Sequence, residues 1–218
     1  GMYQVKEMFY SLQGEGAQTG RPAIFVRFVG CNLWTGKESH RATAVCQFCD
    51  TDFLGTDGVN GGKFKTAEAL AAAVLSLWPQ GNAEKPYVIC TGGEPALQID
   101  APLITAFHNN HFEIAIETNG TLPLPAGIDW ICVSPKGKSV VVLTGCDELK
   151  LVYPQTEAMP EKFAHIVAKY RYLSPKNPYD TSSIIATDIS STQLAIAYCL
   201  ANPQWRLTLQ THKIIHIA

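Results

Sequence analysis

The chain has 218 residues, 46% of them apolar and 17% charged, with a formal net charge of −2, which allows one α/β domain with a sizeable core and is short for two. Near-neutral charge gives no electrostatic reason to expect nucleic acid or an anionic membrane as partner. No apolar run approaches the ~20 residues of a membrane span, and Met2-Tyr3-Gln4-Val5-Lys6-Glu7 alternates in polarity around an acid, unlike a secretory leader, so a cytoplasmic, reducing compartment is expected.

In chain order, apolar β-branched runs and amphipathic stretches predict a strand at Ala23–Val29, a glycine-rich loop at Gly55–Gly62 and a helix at Ala67–Trp78. A strand at Tyr87–Thr91, a helix at Ala101–Asn109 and strands at Phe112–Glu117, Asp129–Ser134 and Glu148–Val152 follow. A helix at Glu161–Tyr170, a strand at Arg171–Leu173, a helix at Ile189–Ala201 and a strand at Trp205–Gln210 complete the reading. Thr66, Asp100 and Asp188 stand where helix N-caps belong, and Pro79 and Pro203 where helices stop. Strands alternating with helices predict parallel βαβ units. The helices are too few for an eightfold barrel of ~250 residues, so the expected fold is α/β, a partial, open TIM-like barrel of parallel strands with few helices. In such sheets ligands bind beyond the carboxyl ends of the strands. The polar signatures fall there: Cys31 after the first strand, then Thr91-Gly92-Gly93-Glu94-Pro95, Glu117-Thr118-Asn119-Gly120, Ser134-Pro135-Lys136 and Gln210-Thr211-His212-Lys213.

Seven cysteines are present. Cys90, Cys132 and Cys199 sit in apolar runs, where free cysteine acts as a small hydrophobe, and Cys146 lies in what reads as a turn. Cys31, Cys46 and Cys49 remain, spaced Cys-x14-Cys-x2-Cys in polar sequence. Three thiolates on a cubane iron–sulfur cluster leave one iron open to a ligand. Spacing alone also allows structural zinc, with a histidine such as His40 as fourth ligand.

The glycines of Thr91-Gly92-Gly93-Glu94-Pro95 let backbone approach a ligand closely. With the three cysteines, this turn resembles the radical S-adenosylmethionine superfamily. Nearly the whole chain is similar to the 7-carboxy-7-deazaguanine synthase family. The resemblance rests on Ser11-Leu12-Gln13-Gly14-Glu15-Gly16, Phe25-Val26-Arg27-Phe28, Cys46-Gln47-Phe48-Cys49-Asp50-Thr51 and Glu117-Thr118-Asn119-Gly120-Thr121. It extends through Asp147-Glu148-Leu149-Lys150 and Leu209-Gln210-Thr211-His212-Lys213. It implies a single radical S-adenosylmethionine domain over residues 2–218, with 32–45 inserted in the cluster-binding loop.

The implied reaction is a carbon–nitrogen lyase step toward queuosine and related deazapurines. It converts 6-carboxy-5,6,7,8-tetrahydropterin to 7-carboxy-7-deazaguanine with release of ammonia. The implied cofactors are a [4Fe-4S] cluster on Cys31, Cys46 and Cys49, S-adenosylmethionine, and magnesium on Thr51. S-adenosylmethionine is assigned Phe48, Gly92, Gly93, Glu117, Ser134, Lys136, Ser174 and Pro175, with Phe48 at the adenine, the glycine backbone at the methionine amino group and Glu117 at the ribose. Lys150 is placed near the cofactor. The pterin is assigned Leu12, Gln13, Gly14, Glu15, Arg27, Thr91 and the terminal residue Ala218. Gln13 and Glu15 suit its donor–acceptor edge. Arg27, a charge in an apolar strand, needs a partner: either the substrate carboxylate, held bidentately, or a structural ion pair. A reducing electron donor such as flavodoxin or ferredoxin and a homodimer are the implied partners.

Two other readings compete. An activase of a glycyl-radical partner would have no use for Gln13, Glu15 and Arg27 together. A zinc-binding domain leaves Gly92-Gly93-Glu94 and Glu117 without a task. His212 reads as a packing histidine as readily as an acid–base group, and His108, His111 and His165 as solvated.

Overall fold

The computed structural model describes residues 2–33, 54–176 and 190–218. His40, Cys46, Phe48, Cys49, Thr51 and Asp188 lie outside them. Within the described residues one sheet runs in the order β3-β1-β2-β4-β5-β6-β7-β8-β9. Its members are β1 (Tyr3–Leu12), β2 (Pro22–Phe28), β3 (Gly62–Phe64), β4 (Tyr87–Gly92), β5 (Glu113–Thr118), β6 (Trp130–Val133), β7 (Gly145–Tyr153), β8 (Val167–Pro175) and β9 (Arg206–Leu207). From β2 to β9 every neighbouring pair is parallel. β1 is antiparallel to both β2 and β3. Among the described residues the sheet keeps two edges, β3 and β9, and the helices are few, as an open barrel requires.

Helices α1 (Ala67–Leu75) and α2 (Ala101–Asn109) cover the outer face of the first strands. Leu70, Val74, Leu103 and Phe107 pack with Val26, Phe28, Val88, Ile114 and Ile116, all with 0% exposure. Helix α3 (Ser191–Ala201) contributes buried Ala195 to a second cluster with Leu149, Leu151, Leu173, Phe163 and Trp205. The helix starts are built as the cap residues require. Thr66 Oγ1 accepts from Ala69 N at 3.0 Å, and Asp100 Oδ1 from Leu103 N at 3.0 Å and from the Tyr3 hydroxyl at 2.5 Å. Ser190 and Gln193 form a reciprocal capping box. No helix among the described residues is long and apolar enough to cross a membrane.

Several expectations need correction. Residues 161–170 are not a helix: Pro160–Phe163 is one 3-10 turn, and from Val167 the chain is strand. There Val167-Ala168-Lys169-Tyr170-Arg171-Tyr172 pairs with β7, and that ladder overrides the helix-like start at Pro160-Glu161. Cys146 belongs to β7 rather than a turn, and burial pushes its thiol up to about 11. Gly62 opens β3 instead of ending a loop. The strand expected over Trp205–Gln210 shrinks to Arg206–Leu207, followed by the short helix α4 (Thr211–Ile214). His108 is not merely solvated, since its Nε2 lies 3.3 Å from Asp129 Oδ2. The strand β1 escaped sequence reading. Its pairing with β2 steps from Val5–Phe28 to Glu7–Arg27, leaving Lys6 as an extra residue. This β-bulge breaks the alternation by which a strand is recognised.

Candidate active site

The inner face of the sheet changes character along its strands. On three adjacent strands an apolar residue is followed two positions later, on the same face, by a polar one. These are Phe25 then Arg27, Ile89 then Thr91, and Ala115 then Glu117. The register aligns Phe25 with Ile89 and Ala115, and Arg27 with Thr91. An apolar floor is thereby overlaid by polar groups toward the carboxyl ends.

A second element reaches this layer from the opposite end. Because β1 is antiparallel, it finishes with Leu12 opposite Pro22, at the amino ends of the parallel strands. The turn that follows is closed by Gln13 N donating to Arg21 O at 2.9 Å and Gly20 N to Gln13 O at 2.7 Å. Gln13 Nε2 donates to Glu117 Oε1 at 3.0 Å, and Gln13 Oε1 accepts from Glu15 N at 3.2 Å. Gly14 O accepts from Thr211 N at 3.0 Å. A Cβ on Gly14 would stand 1.9 Å from His212 Nδ1, so glycine is what lets this turn lie on α4.

Lys150 holds the two elements together electrostatically. Its Nζ lies 2.9 Å from Glu15 Oε2 and 3.8 Å from Glu117 Oε2, with the Lys150 and Glu15 side chains nearly buried. Burial alone would raise the Glu15 carboxyl, but the charge and hydrogen bond of Lys150 outweigh it and hold the carboxyl below its ordinary range. Burial alone would lower Lys150, and Glu15 with Glu117 raise it well above its ordinary value. Burial lowers His212, assisted by Lys213 and Arg27 and opposed by Glu15 and Glu117. Glu148 supports the turn from beneath. It is buried, its Oε2 accepts from Ala17 N at 2.9 Å, and desolvation raises its carboxyl. Thr208 Oγ1 accepts from Gly16 N at 2.9 Å beside it.

Arg27 pairs with the residue facing it across β1, Nε lying 3.1 Å from Glu7 Oε1 with both side chains about a quarter to a third exposed. Its guanidinium also stands over the Phe9 ring, 5.6 Å from the centroid. Leu12 is exposed, and Ser11 Oγ donates to Ala218 O at 3.3 Å, so the last residue lies beside the end of β1.

The remaining residues lie where parallel strands end. Gly92 has φ +126°, and a Cβ there would stand 2.4 Å from Phe28 O and 2.5 Å from Phe28 N. Only glycine admits this approach of β4 to β2. Gly93 N donates to Phe28 O at 3.4 Å and Glu94 N to Gly30 O at 2.8 Å, tying the turn to the loop that carries Cys31. The Cys31 sulfur accepts from Leu33 N at 3.4 Å. Glu94, 1% exposed, accepts from Ala96 N at 2.9 Å, Thr118 Oγ1 at 2.7 Å and Asn119 N at 2.7 Å. Desolvation raises its carboxyl against these donors. Ser134 Oγ donates to Lys150 O at 2.9 Å and receives Lys136 Nζ at 3.3 Å. Ser174 and Pro175 end β8 opposite Val152 and Tyr153.

The structure thus joins Gln13, Glu15, Glu117 and Lys150 in one network and sets Arg27 beside Thr91. Cys46, Phe48, Cys49 and Thr51 are not described. Sequence reading missed Glu94 as a hub and Glu148 as a support. A carboxylate in or beside a motif is visible in sequence, but which distant backbone it will hold is not.

No family model matches the chain. It is 57% identical to the 7-carboxy-7-deazaguanine synthase of Caulobacter vibrioides over 98% of both chains. It is 56% identical to that of Bordetella pertussis over 99% of both. The crystal structure of QueE from Escherichia coli superposes with a TM-score of 0.69 at 29% identity, covering 97% of this chain and 95% of that one. Neither a glycyl-radical activase nor a zinc-binding domain is favoured by these relatives. On full-length identity above half, the chain belongs to the 7-carboxy-7-deazaguanine synthase family.

Proposed function

We propose that this enzyme converts 6-carboxy-5,6,7,8-tetrahydropterin to 7-carboxy-7-deazaguanine, releasing ammonia, as a radical S-adenosylmethionine lyase within one domain spanning 2–218. The observation that carries the reading is Lys150 between Glu15 and Glu117, with Gln13 bonded to the latter. It couples a turn suited to a pterin edge to a strand end suited to a nucleoside.

The donor set fits the cofactors. Gly92 brings backbone, unshielded by a side chain, to the end of β4. The Leu33 N–H aimed at the Cys31 sulfur favours a thiolate. Cys31, Cys46 and Cys49 would hold a [4Fe-4S] cluster. Gly92, Gly93, Glu117, Ser134, Lys136, Ser174, Pro175 and Phe48 would hold S-adenosylmethionine. When bound, these groups supply an electron and a hydrogen-abstracting radical.

The chain's own residues then orient and shield. The Glu15 carboxylate, kept ionised by Lys150, accepts from pterin N–H groups, while the Gln13 amide offers the complementary pair. Arg27, braced through Nε by Glu7, presents its guanidinium to the substrate carboxylate, and Thr91 lies beside it. Leu12, Gly14 and Ala218 would add further contacts to the pterin. Thr51 would bring magnesium, which prefers oxygen ligands and retains water, to that carboxylate. An electron donor of the flavodoxin or ferredoxin class and a homodimeric assembly complete the proposal.

The test is anaerobic reconstitution with S-adenosylmethionine, a strong reductant and 6-carboxy-5,6,7,8-tetrahydropterin, followed by mass spectrometry. A carboxylated deazaguanine with ammonia release supports the reading. 5′-Deoxyadenosine formed without that product, on an intact cluster, overturns the substrate and retains the chemistry.

A further inference from the structure

Asn119 has no role in the site as described, yet it is 6% exposed and richly bonded. Its backbone N donates to Glu94 Oε1 at 2.7 Å. Its side-chain Oδ1 accepts from Thr121 N at 3.0 Å and Thr121 Oγ1 at 2.7 Å. Its Nδ2 donates to Asn32 Oδ1 at 2.9 Å, and Asn32 Nδ2 donates in turn to Thr121 Oγ1 at 2.8 Å. The three side chains close a ring.

The contacts divide by purpose. Bonds from Oδ1 to Thr121 are those of an Asx turn and would shape the loop after β5 unaided. The Asn119–Asn32 bond does nothing for that turn. It spans 87 positions in sequence and ends on the residue next to Cys31. On the other side of Cys31, Gly30 O is held by Glu94 N at 2.8 Å. The cysteine is therefore bracketed, with one flank fixed to the turn carrying Gly92 and Gly93 and the other to the segment just beyond Glu117.

We infer that Asn119 is a positioning residue which, through Asn32, sets the placement of Cys31 relative to Gly92–Gly93 and Glu117. This rests on the functional reading above, in which Cys31 holds the cluster while those residues hold S-adenosylmethionine. The ring then fixes the distance between electron source and cofactor. A lost hydrogen bond there leaves the fold intact and loosens the geometry on which electron transfer depends.

Asn32→Ala is the cleaner probe, since Asn32 is exposed and the Asn119–Thr121 turn survives it. Two measurements are needed. Hydrogen exchange on the apoprotein follows residues 30–33, and paramagnetic resonance on the reduced cluster protein is recorded with and without S-adenosylmethionine. Exchange about tenfold faster in 30–33, the scale of one lost bond, is expected at an unchanged melting temperature. The spectral response to S-adenosylmethionine should be weakened or lost, and loss of iron at that same melting temperature supports the inference equally. Asn119→Ala should show the same spectroscopic defect. A melting temperature lowered in Asn119→Ala, with a wild-type spectral response in both variants, reduces the ring to loop packing and overturns the inference. If the wild type itself shows no response to S-adenosylmethionine, the functional reading fails. Exchange in the apoprotein then decides alone whether the Asn119–Asn32 link holds the Cys31 loop.

Discussion

Lys150 shows how strongly one side chain here depends on another. Replacing a member of a nearly buried ion pair leaves its partner uncompensated, which costs ~3–5 kcal/mol, so Lys150→Met should be strongly destabilised at neutral pH. The pH dependence has a definite sign. Lys150 depresses the Glu15 carboxyl, so its contribution is present above the unfolded carboxyl value of about 4.3 and lost as pH falls through the lower folded value. Urea unfolding midpoints of wild type and Lys150→Met should therefore lie far apart at pH 7 and converge below about pH 4. Glu94 and Glu148, both raised by desolvation, act in the opposite direction and soften the acid loss of the wild type. For catalysis, Arg27→Met should lower kcat/KM by about 10- to 100-fold, the worth of a charge-assisted contact. Glu7→Gln, which only loosens the brace, should cost less than about tenfold, chiefly in KM. Steady-state kinetics on the reconstituted enzyme check both. Gly92→Ala combines a disfavoured φ with a backbone clash, whereas Gly81→Ala, at φ +78° in open space, bears only the conformational penalty of ~1–2 kcal/mol. Thermal unfolding should rank Gly92→Ala as clearly the worse.

The secondary elements differ in how visibly they are written in the chain. Helix α2 was legible to its last residue because Asp100 caps it and its apolar spacing matches the face it buries. Asp100 also receives the Tyr3 hydroxyl, so Asp100→Ala should cost ~2 kcal/mol, a cap and a hydrogen bond together. Thr66→Ala should cost ~1 kcal/mol. Urea denaturation at constant m-value distinguishes the two. The parallel strands β2, β4, β5 and β6 were found within a residue or so by their short apolar runs. The amino half of β8 was not, because Pro160 and Glu161 mimic a helix start while the decisive contact, the ladder with β7, is not local. The site divides the same way. Motif residues such as Gln13, Glu15, Arg27 and Glu117 could be named in advance, because each resembles a family position. Their mutual arrangement could not, since it depends on β1 running against its neighbours.

At the scale of the molecule, the packing of the described residues buries Cys90 and Cys132 completely or nearly so. Burial pushes the Cys90 thiol up to about 12 and raises Cys132 well above its ordinary value. Alkylation of the native apoprotein at pH 8 should spare both, and unfolding in denaturant should expose them, as peptide mass spectrometry would report. The extra residue at Lys6 bears on the assembly as a whole. Before it, Tyr3 and Val5 point into the helix-covered core, and after it Met8 takes over that duty while Glu7 faces Arg27. Lys6 therefore acts as a phase shift in a two-stroke pattern. Deleting Lys6 alone would remove the bulge and leave an unbroken alternation, with Val5 and Met8 still toward the core and Glu7 still facing Arg27. Removing Glu7 as well would reverse the parity and turn Met8 away from the core. Loss of the bulge residue, unlike loss of a pair that includes it, is therefore compatible with keeping both faces of this strand in place.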